Sequence, residues 1–264
     1  MFLWCPSLSK ALFYCYSKGM KKKSKQVIGD LIFGIHPVVE CLKARRRKII
    51  TIYTTKPHPK SFSQIEKVMP NYKIPIQYVS RDVLKRMSGS AEHQGVVAWV
   101  KPFQFRRKPF DSQKQRFLVL LDGIQDPRNV GAIIRSAYCA GAEGVILCKK
   151  GGAPLTAAAL KSSAGLAEHM EILQAPSVVY AVQYLKQAGY NLYMAVFNGK
   201  SATEIHYQEP LCLVIGSEGV GISKNIIKFG TPITLAQKTA GISYNASVAA
   251  GILLFHVGLK NKKI

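Results

Sequence analysis

Apolar residues along the chain switch between a helical spacing and a strand spacing, and the switch points divide it into parts. From Ile35 to about Val100 the two alternate in short pieces. "HPVVECLKA" spaces its apolar residues for a helix, "KIITIYTT" is β-branched, "SFSQIEKVM" returns to helical spacing, "IPIQYV" reads as a strand, "RDVLKRM" as a short helix and "GVVAWV" as a closing strand. This predicts a small α/β unit over residues 30–100. The stretch "KPFQFRRKPFDSQKQR" at 101–116 then loses all periodicity, carries two prolines and is basic, which predicts a linker and a domain boundary.

From residue 117 to 264 the segments are more regular. "RFLVLLD" reads as a buried strand and "NVGAIIRSAYCAG" as a helix closed by Gly141. There follow a strand in "GVILC", helices in "LTAAALKSSAG" and "VVYAVQYLKQAG", strands in "NLYMAVF", "LCLVIG" and "TPITL", and a terminal helix in "SVAAGILLFHVGL". Strands apolar on both faces and alternating with helices predict an α/β fold, with a largely parallel sheet covered on both sides. In such sheets ligands sit at the carboxyl ends of the strands. Three polar interruptions fall there: "DPRN" after "FLVLLD", "GSEGVG" at 216–221 after "LCLVI", and "AGISYN" at 240–245 before the last helix. Each has an ordinary structural explanation as a turn, a cap or a solvated loop, but all three converge on one sheet edge. Glycines there let backbone amides approach a ligand, and helix amino termini attract anions.

Charge narrows the partner. The 264 residues include 37 Lys plus Arg against 14 Asp plus Glu, a formal net charge of +23, which points to a polyanion, nucleic acid ahead of an anionic lipid surface. With 48% hydrophobic residues and no apolar run of spanning length, the chain reads as globular, with no membrane segment. Its six cysteines form no CxxC pair and have no histidine at ligand spacing, so the expectation is a reducing, cytoplasmic compartment, no metal and no disulfide framework. Residues 1–29 read as a disordered or spurious tail. Pro6, Ser7, Ser9 and Lys10 interrupt its apolar residues, which makes a poor secretory signal. Organelle targeting by residues 1–19 stays open, since no acidic residue precedes Asp30, although arginine is absent from the same stretch. So does a translation start at Met20.

Familiar signatures are missing. The chain has no GxGxxG after a first strand, no GxxxxGKS phosphate loop, no GxSxG elbow, no HExxH and no class I methyltransferase glycine loop. The three loops instead resemble the motifs of SpoU-type SPOUT methyltransferases, which move a methyl group from S-adenosylmethionine to the ribose 2′-hydroxyl of RNA. "DPRNVGAIIRSA" is similar to the first motif, "LVIGSEGVGIS" to the second and "SYNASVAAGILLF" to the third, in that order. The span beginning "GIHPVVECL" and closing "HQGVVAWV" resembles the substrate RNA-binding domain of the ribosomal-RNA members.

The resemblance implies a carboxy-terminal trefoil knot, a homodimer with its site near the subunit contact, and cofactor contacts at Gly216, Glu218, Gly219, Leu235, Ser243 and Asn245. It implies a catalytic set of Asn129, Arg135 and Glu218. Asn129 and Arg135 lie six residues apart, within about two helical turns, and reach one rim if the first turn is irregular. Thr234 and Leu235 stand where the family commonly has Pro-Met, and the loop before Ser243 is slightly longer than usual. The resemblance favours a guanosine of large-subunit (23S) rRNA. The alternatives are a tRNA 2′-O-methyltransferase and a catalytically silent RNA-binding protein, and cofactor binding separates the last from the others.

Overall fold

A computed structural model describes residues 28–238 and 243–264. The first 27 residues of the tail, and residues 239–242 of the loop before the last helix, lie outside the described residues. The described residues form two sheets. The first is built from β1 (Asp30–Phe33), α1 (Ile35–Ala44), β2 (Ile49–Thr54), α2 (Ser63–Glu66), β3 (Ile76–Tyr78), α3 (Arg81–Ser88) and β4 (Val96–Val100). Its strand order is β1-β4-β2-β3. β4 runs antiparallel to both β1 and β2, and β3 lies parallel to β2 at the edge. Two elements differ from the sequence expectation. β1 escaped notice because four residues carry too little alternation to register. The helix expected over "SFSQIEKVM" shrinks to a 3-10 turn at Lys60–Phe62 followed by the four residues of α2.

The second sheet holds β5 (Phe117–Asp122), α4 (Pro127–Cys139), β6 (Gly144–Cys148), α5 (Ala157–Ser162), β7 (Ile172–Ala175), α6 (Val178–Gln187), β8 (Asn191–Ser201), β9 (Leu211–Gly216), α7 (Lys224–Ile227), β10 (Thr231–Thr234) and α8 (Ala246–Lys260). Its order is β10-β8-β9-β5-β6-β7, and every pairing in it is parallel. The parallel α/β arrangement expected from the doubly apolar strands is therefore present. All six residues of β5 are buried, as a central strand covered by helices on both faces requires. β7, a four-residue edge strand, was not expected.

The basic stretch at 101–116 does not hang free. The Arg106 amide donates to Ile172 O at 2.7 Å, its guanidinium reaches Glu171 at 3.3 Å and lies 4.7 Å from the centre of the Phe110 ring. Phe110 is itself buried, and its backbone amide donates to the Tyr184 hydroxyl at 2.7 Å. The segment is a strap along the β7 edge. Its anchors are spaced irregularly, which is why periodicity missed them.

The two sheets share one connected apolar core, in which Ile32, Val38 and Ile52 join Val119, Ile133, Leu160 and Ala167. A buried ion pair reinforces the join. Arg47, after α1, faces Glu168, and their side chains are 1% and 2% exposed. Arg47 also donates to Asp30 Oδ2 at 2.8 Å and to Lys101 O at 3.2 Å. Burial works to lower the Arg47 pKa, but the hydrogen bonds and charge of Glu168 outweigh it and leave the guanidinium more basic than usual. Glu40 and His169 add a partly buried contact at 2.9 Å.

Candidate active site

The first two polar interruptions meet where the sequence places them. Asp122 ends β5 and Gly216 ends β9, and the two are register partners, so the loops that follow leave the sheet side by side at its carboxyl edge. After β5, Asp126 caps α4: its Oδ1 accepts from the Arg128 amide at 2.8 Å, and Pro127 occupies the first turn, where a missing N–H costs nothing. Asn129 follows in the same turn, and its side-chain amide donates to the Glu218 carboxylate. The first and second loops are thereby tied together through two of the three residues expected to be catalytic.

α4 is helical from Pro127 onward. With a regular first turn, six residues turn the helix through about 600°, so Asn129 and Arg135 point about 120° apart. Arg128, seven residues before Arg135, shares its face, and both are exposed. The irregular turn that would align Asn129 with Arg135 is not there. Asn129 instead faces the glycine loop, and a pair of guanidinium groups, Arg128 and Arg135, looks outward. Sequence reading passed over Arg128 because the motif singles out its neighbour.

The second loop is a closed turn. Ser217 and Gly221 exchange backbone hydrogen bonds at 3.1 and 2.9 Å, and Gly221 takes a φ of +70° that suits glycine. A side chain at Gly216 would put its Cβ 2.2 Å from the Gly221 carbonyl carbon, so the loop folds back on itself only because that position has none. Asp122 fixes the far end of the turn. Its Oδ2 accepts from the Ser223 amide at 2.7 Å and its Oδ1 from the Ser223 hydroxyl at 3.1 Å. This buried carboxylate was legible only as the end of an apolar strand. Beside it, Cys148 is pushed up to about 12, first by burial and then by the Asp122 charge, so it remains a neutral thiol.

Between this turn, the strand β10 and the start of α8 lies a cavity of about 600 Å³, a volume suited to a nucleoside-sized ligand. Ile215, Ile222, Ile233, Leu235 and Leu253 give it apolar walls, and Glu218 and Ser243 stand among its polar groups. Its outer wall comes from β8. The pairing of β8 with β10 jumps from Met194 to Lys200, so residues between them bow out of register and bring Phe197 and Asn198 to the cavity. Of the expected contacts, Gly216, Glu218, Leu235 and Ser243 line it. Gly219 sits at the exposed tip of the turn. Asn245 caps α8, its Oδ1 accepting from the Ser247 amide at 2.9 Å and the Ser247 hydroxyl at 2.6 Å, and does not line the cavity. Phe197, Val220 and Tyr244 line it and were not anticipated.

An apolar cleft at the carboxyl edge of an all-parallel sheet, with a glycine turn on one side and exposed Arg128 and Arg135 on α4, stands where open α/β enzymes hold their ligands. Family models match both parts of the chain: the SpoU rRNA Methylase family over residues 116–255, and the RNA 2′-O ribose methyltransferase substrate-binding domain over residues 31–106. The chain belongs to the SpoU family of RNA 2′-O-methyltransferases. It is 31% identical over 241 residues to the 23S rRNA (guanosine-2′-O-)-methyltransferase RlmB of Photobacterium profundum, covering 86% of this chain and 96% of that one. The RlmB of Shewanella oneidensis is 30% identical over 236 residues, covering 86% and 95%. Among solved structures, an RNA 2′-O ribose methyltransferase superposes with a TM-score of 0.77 at 22% identity, covering 89% of each chain. The SpoU methyltransferase AviRb of Streptomyces viridochromogenes, solved with AdoMet, superposes with a TM-score of 0.73 at 21% identity, covering 88% and 90%. These likenesses show the same fold.

Proposed function

We propose that the protein transfers a methyl group from S-adenosylmethionine to the ribose 2′-hydroxyl of a guanosine in 23S rRNA. The observation that carries this reading is the Asn129–Glu218 hydrogen bond, which joins the first motif to the second beside a nucleoside-sized cavity. The cavity suits the cofactor. Aliphatic walls can sandwich a flat base, backbone groups of the 216–221 turn supply polar partners, and the Glu218 carboxylate offers the negative charge that a sulfonium or ammonium needs. In this reading Gly216, Leu235 and Ser243 hold the cofactor directly. Gly219 acts through the shape of the turn, and Asn245 by anchoring the start of α8. The bound cofactor supplies an electrophilic methyl group.

The chain's own residues then have to manage a weakly acidic hydroxyl. As the hydroxyl proton passes to solvent, Arg135 serves as an electrostatic partner, holding the neighbouring phosphate and stabilising charge that grows on the ribose oxygen. Arg128, on the same face of α4, contributes to the same phosphate contact. Asn129, fixed by Glu218, orients the hydroxyl.

Residues 30–100 bind the RNA in this scheme, residues 101–116 strap the two parts together, and residues 117–264 carry the chemistry. The chain between β10 and α8 gives the carboxy-terminal trefoil knot. What supports this reading is that β10 lies at the outer edge of the sheet while α8 packs on α4 and β9. The protein works as a homodimer. Val248, Ile252, Phe255 and Leu259 form an exposed apolar stripe at helical spacing along α8, and they are 42–60% exposed. No helix among the described residues is long and apolar enough to cross a membrane.

Titration calorimetry with S-adenosylmethionine, followed by mapping of ribose methylation in RNA from a deletion strain, tests the reading. The expected results are saturable heat and the loss of one 23S guanosine modification. A folded dimer that takes up no cofactor would leave a silent RNA-binding protein as the conclusion.

A further inference from the structure

The carboxyl end of the first sheet carries an aromatic and basic cluster that the proposed chemistry does not use. Tyr78 ends the edge strand β3 and is 51% exposed, yet its ring is held in place. Its hydroxyl lies 3.2 Å from His58 Nε2, and the imidazole meets the ring nearly edge-on, at 5.3 Å between centroids and 70° between planes. His58 in turn rests on the buried Phe62 at 4.3 Å. Lys56 Nζ stands 5.8 Å from the centre of the Tyr78 ring. Lys60 and Arg81, both exposed, follow close along the chain from His58 and Tyr78. A fixed, half-exposed aromatic ring beside cationic side chains is the arrangement on which unpaired bases stack while their phosphates are neutralised.

Its location matters as much as its make-up. β4 runs antiparallel to β2 and pairs Val96 with Thr54, so Gly95 and Gln94 lie at the same sheet end as Lys56 and Tyr78. Gln94 Oε1 accepts from Lys161 Nζ at 2.7 Å. The next residue, Ser162, donates its hydroxyl to Arg128 O at 2.7 Å, and Arg128 precedes Asn129 in the first turn of α4. The end of the first sheet is thus coupled, through α5, to the helix that carries the candidate catalytic residues. Burial lowers the Lys161 pKa, partly offset by Glu92, as expected for an ammonium enclosed at this junction.

We propose that Tyr78, set by His58 and Lys56, is the stacking site for an unpaired base flanking the target nucleotide of the RNA substrate. This rests on the reading of the protein as an RNA methyltransferase. A built-in control exists. Tyr72 is also exposed and has Lys48 Nζ 5.8 Å from its ring, but it precedes β3 and Lys48 precedes β2, so that pair stands at the opposite end of the sheet.

The test uses the full chain and short single-stranded oligoribonucleotides containing 2-aminopurine, whose fluorescence is quenched when the base stacks. The unchanged protein should quench saturably. Tyr78→Ala should lose the quenching and bind roughly tenfold more weakly, the effect of removing one stacked base. Tyr78→Phe should keep the quenching, and Tyr72→Ala should behave as the unchanged protein. Absence of saturable quenching, equal quenching by Tyr78→Ala, or an equal loss in Tyr72→Ala would overturn the proposal. Methyl transfer to ribosomal RNA by the unchanged protein is measured in parallel. Its absence would refute the methyltransferase reading, whereas transfer accompanied by Tyr78-independent binding would refute the stacking site alone.

Discussion

Arg47→Met should destabilise the protein by about 3–5 kcal/mol, because it removes one partner of an ion pair from which water is excluded. The Arg47 and Glu168 side chains are 1% and 2% exposed, so the abandoned carboxylate could not recover its hydration without opening the contact between the sheets. Arg47 Nε also lies 3.0 Å from Glu168 Oε2, and the guanidinium lies 5.3 Å from the centre of the Phe103 ring, so several interactions are lost at once. Methionine keeps much of the aliphatic stem, which confines the loss to the charged head. A domain of ordinary stability, roughly 5–15 kcal/mol, would give up a large share of its margin. Urea denaturation followed by circular dichroism measures the change, and the double variant Arg47→Met with Glu168→Leu supplies the decisive comparison. Replacing both charges with apolar groups should restore stability to within about 1–2 kcal/mol of the unchanged protein, since the pair's attraction does little more than offset its desolvation. A single variant losing less than about 1 kcal/mol, or a double variant as unstable as the single, would refute the argument that an unpaired buried charge sets the cost.

Asp122→Ala should raise the S-adenosylmethionine dissociation constant about tenfold or more in calorimetry, because the Ser223 amide and hydroxyl that close the glycine turn lose a charged acceptor. Arg135→Ala should lower methyl transfer about a hundredfold or more while leaving cofactor affinity within a few fold, and normal turnover in a single-turnover assay would remove Arg135 from its role. Phe255→Asp, in the middle of the apolar stripe on α8, should turn a dimer into a monomer in analytical ultracentrifugation. His93 makes stability depend on pH. Burial first, then the charges of Arg81 and Lys161, lower its pKa below the usual 6.5, and its Nδ1 accepts from the Gly95 amide at 2.9 Å. A histidine favoured in its neutral form stabilises the fold fully above its unfolded pKa, and that contribution is lost as pH falls through the lower folded value. The melting temperature should therefore drop on acidification below about pH 6.5, and less so in His93→Asn, whose side-chain oxygen can accept the same hydrogen bond without titrating.

Long periodic segments and special turn residues were legible in the sequence. The buried run of β5, the Asp-Pro start of α4 and the glycines of the 216–221 turn each state a local backbone requirement, and the structure meets them. What could not be read depends on contacts made across the fold. β1 and β7 are four residues each, and their strand character comes from neighbours in the sheet. The strap at 101–116 looks like a linker because its anchors, Arg106 and Phe110, are held by β7 and α6 with no repeat of their own. Asp122 lies at the end of an apolar strand, and only pairing with β9 reveals that its carboxylate holds Ser223. The pairing of Asn129 with Glu218 spans 89 residues, and the helix phase that separates Asn129 from Arg135 is set by where Asp126 caps the helix.

Selectivity for one ribose in a large RNA has to come from more than the reacting groups, since a guanidinium pair and a 2′-hydroxyl contact carry almost no sequence information. The structure offers a geometric solution. The carboxyl end of the first sheet and the first turn of α4 are joined through Gln94, Lys161 and Ser162, while on another side the Arg47–Glu168 pair and the shared apolar core hold the two sheets together. Freedom of the two parts to swing apart is opposed by a buried charge that would be stranded and an apolar core that would be exposed. On the proposed reading, a recognition surface held in this way would measure a fixed separation between a base stacked on Tyr78 and a ribose beside Asn129. An RNA whose fold places those two nucleotides at any other separation satisfies one contact at the expense of the other.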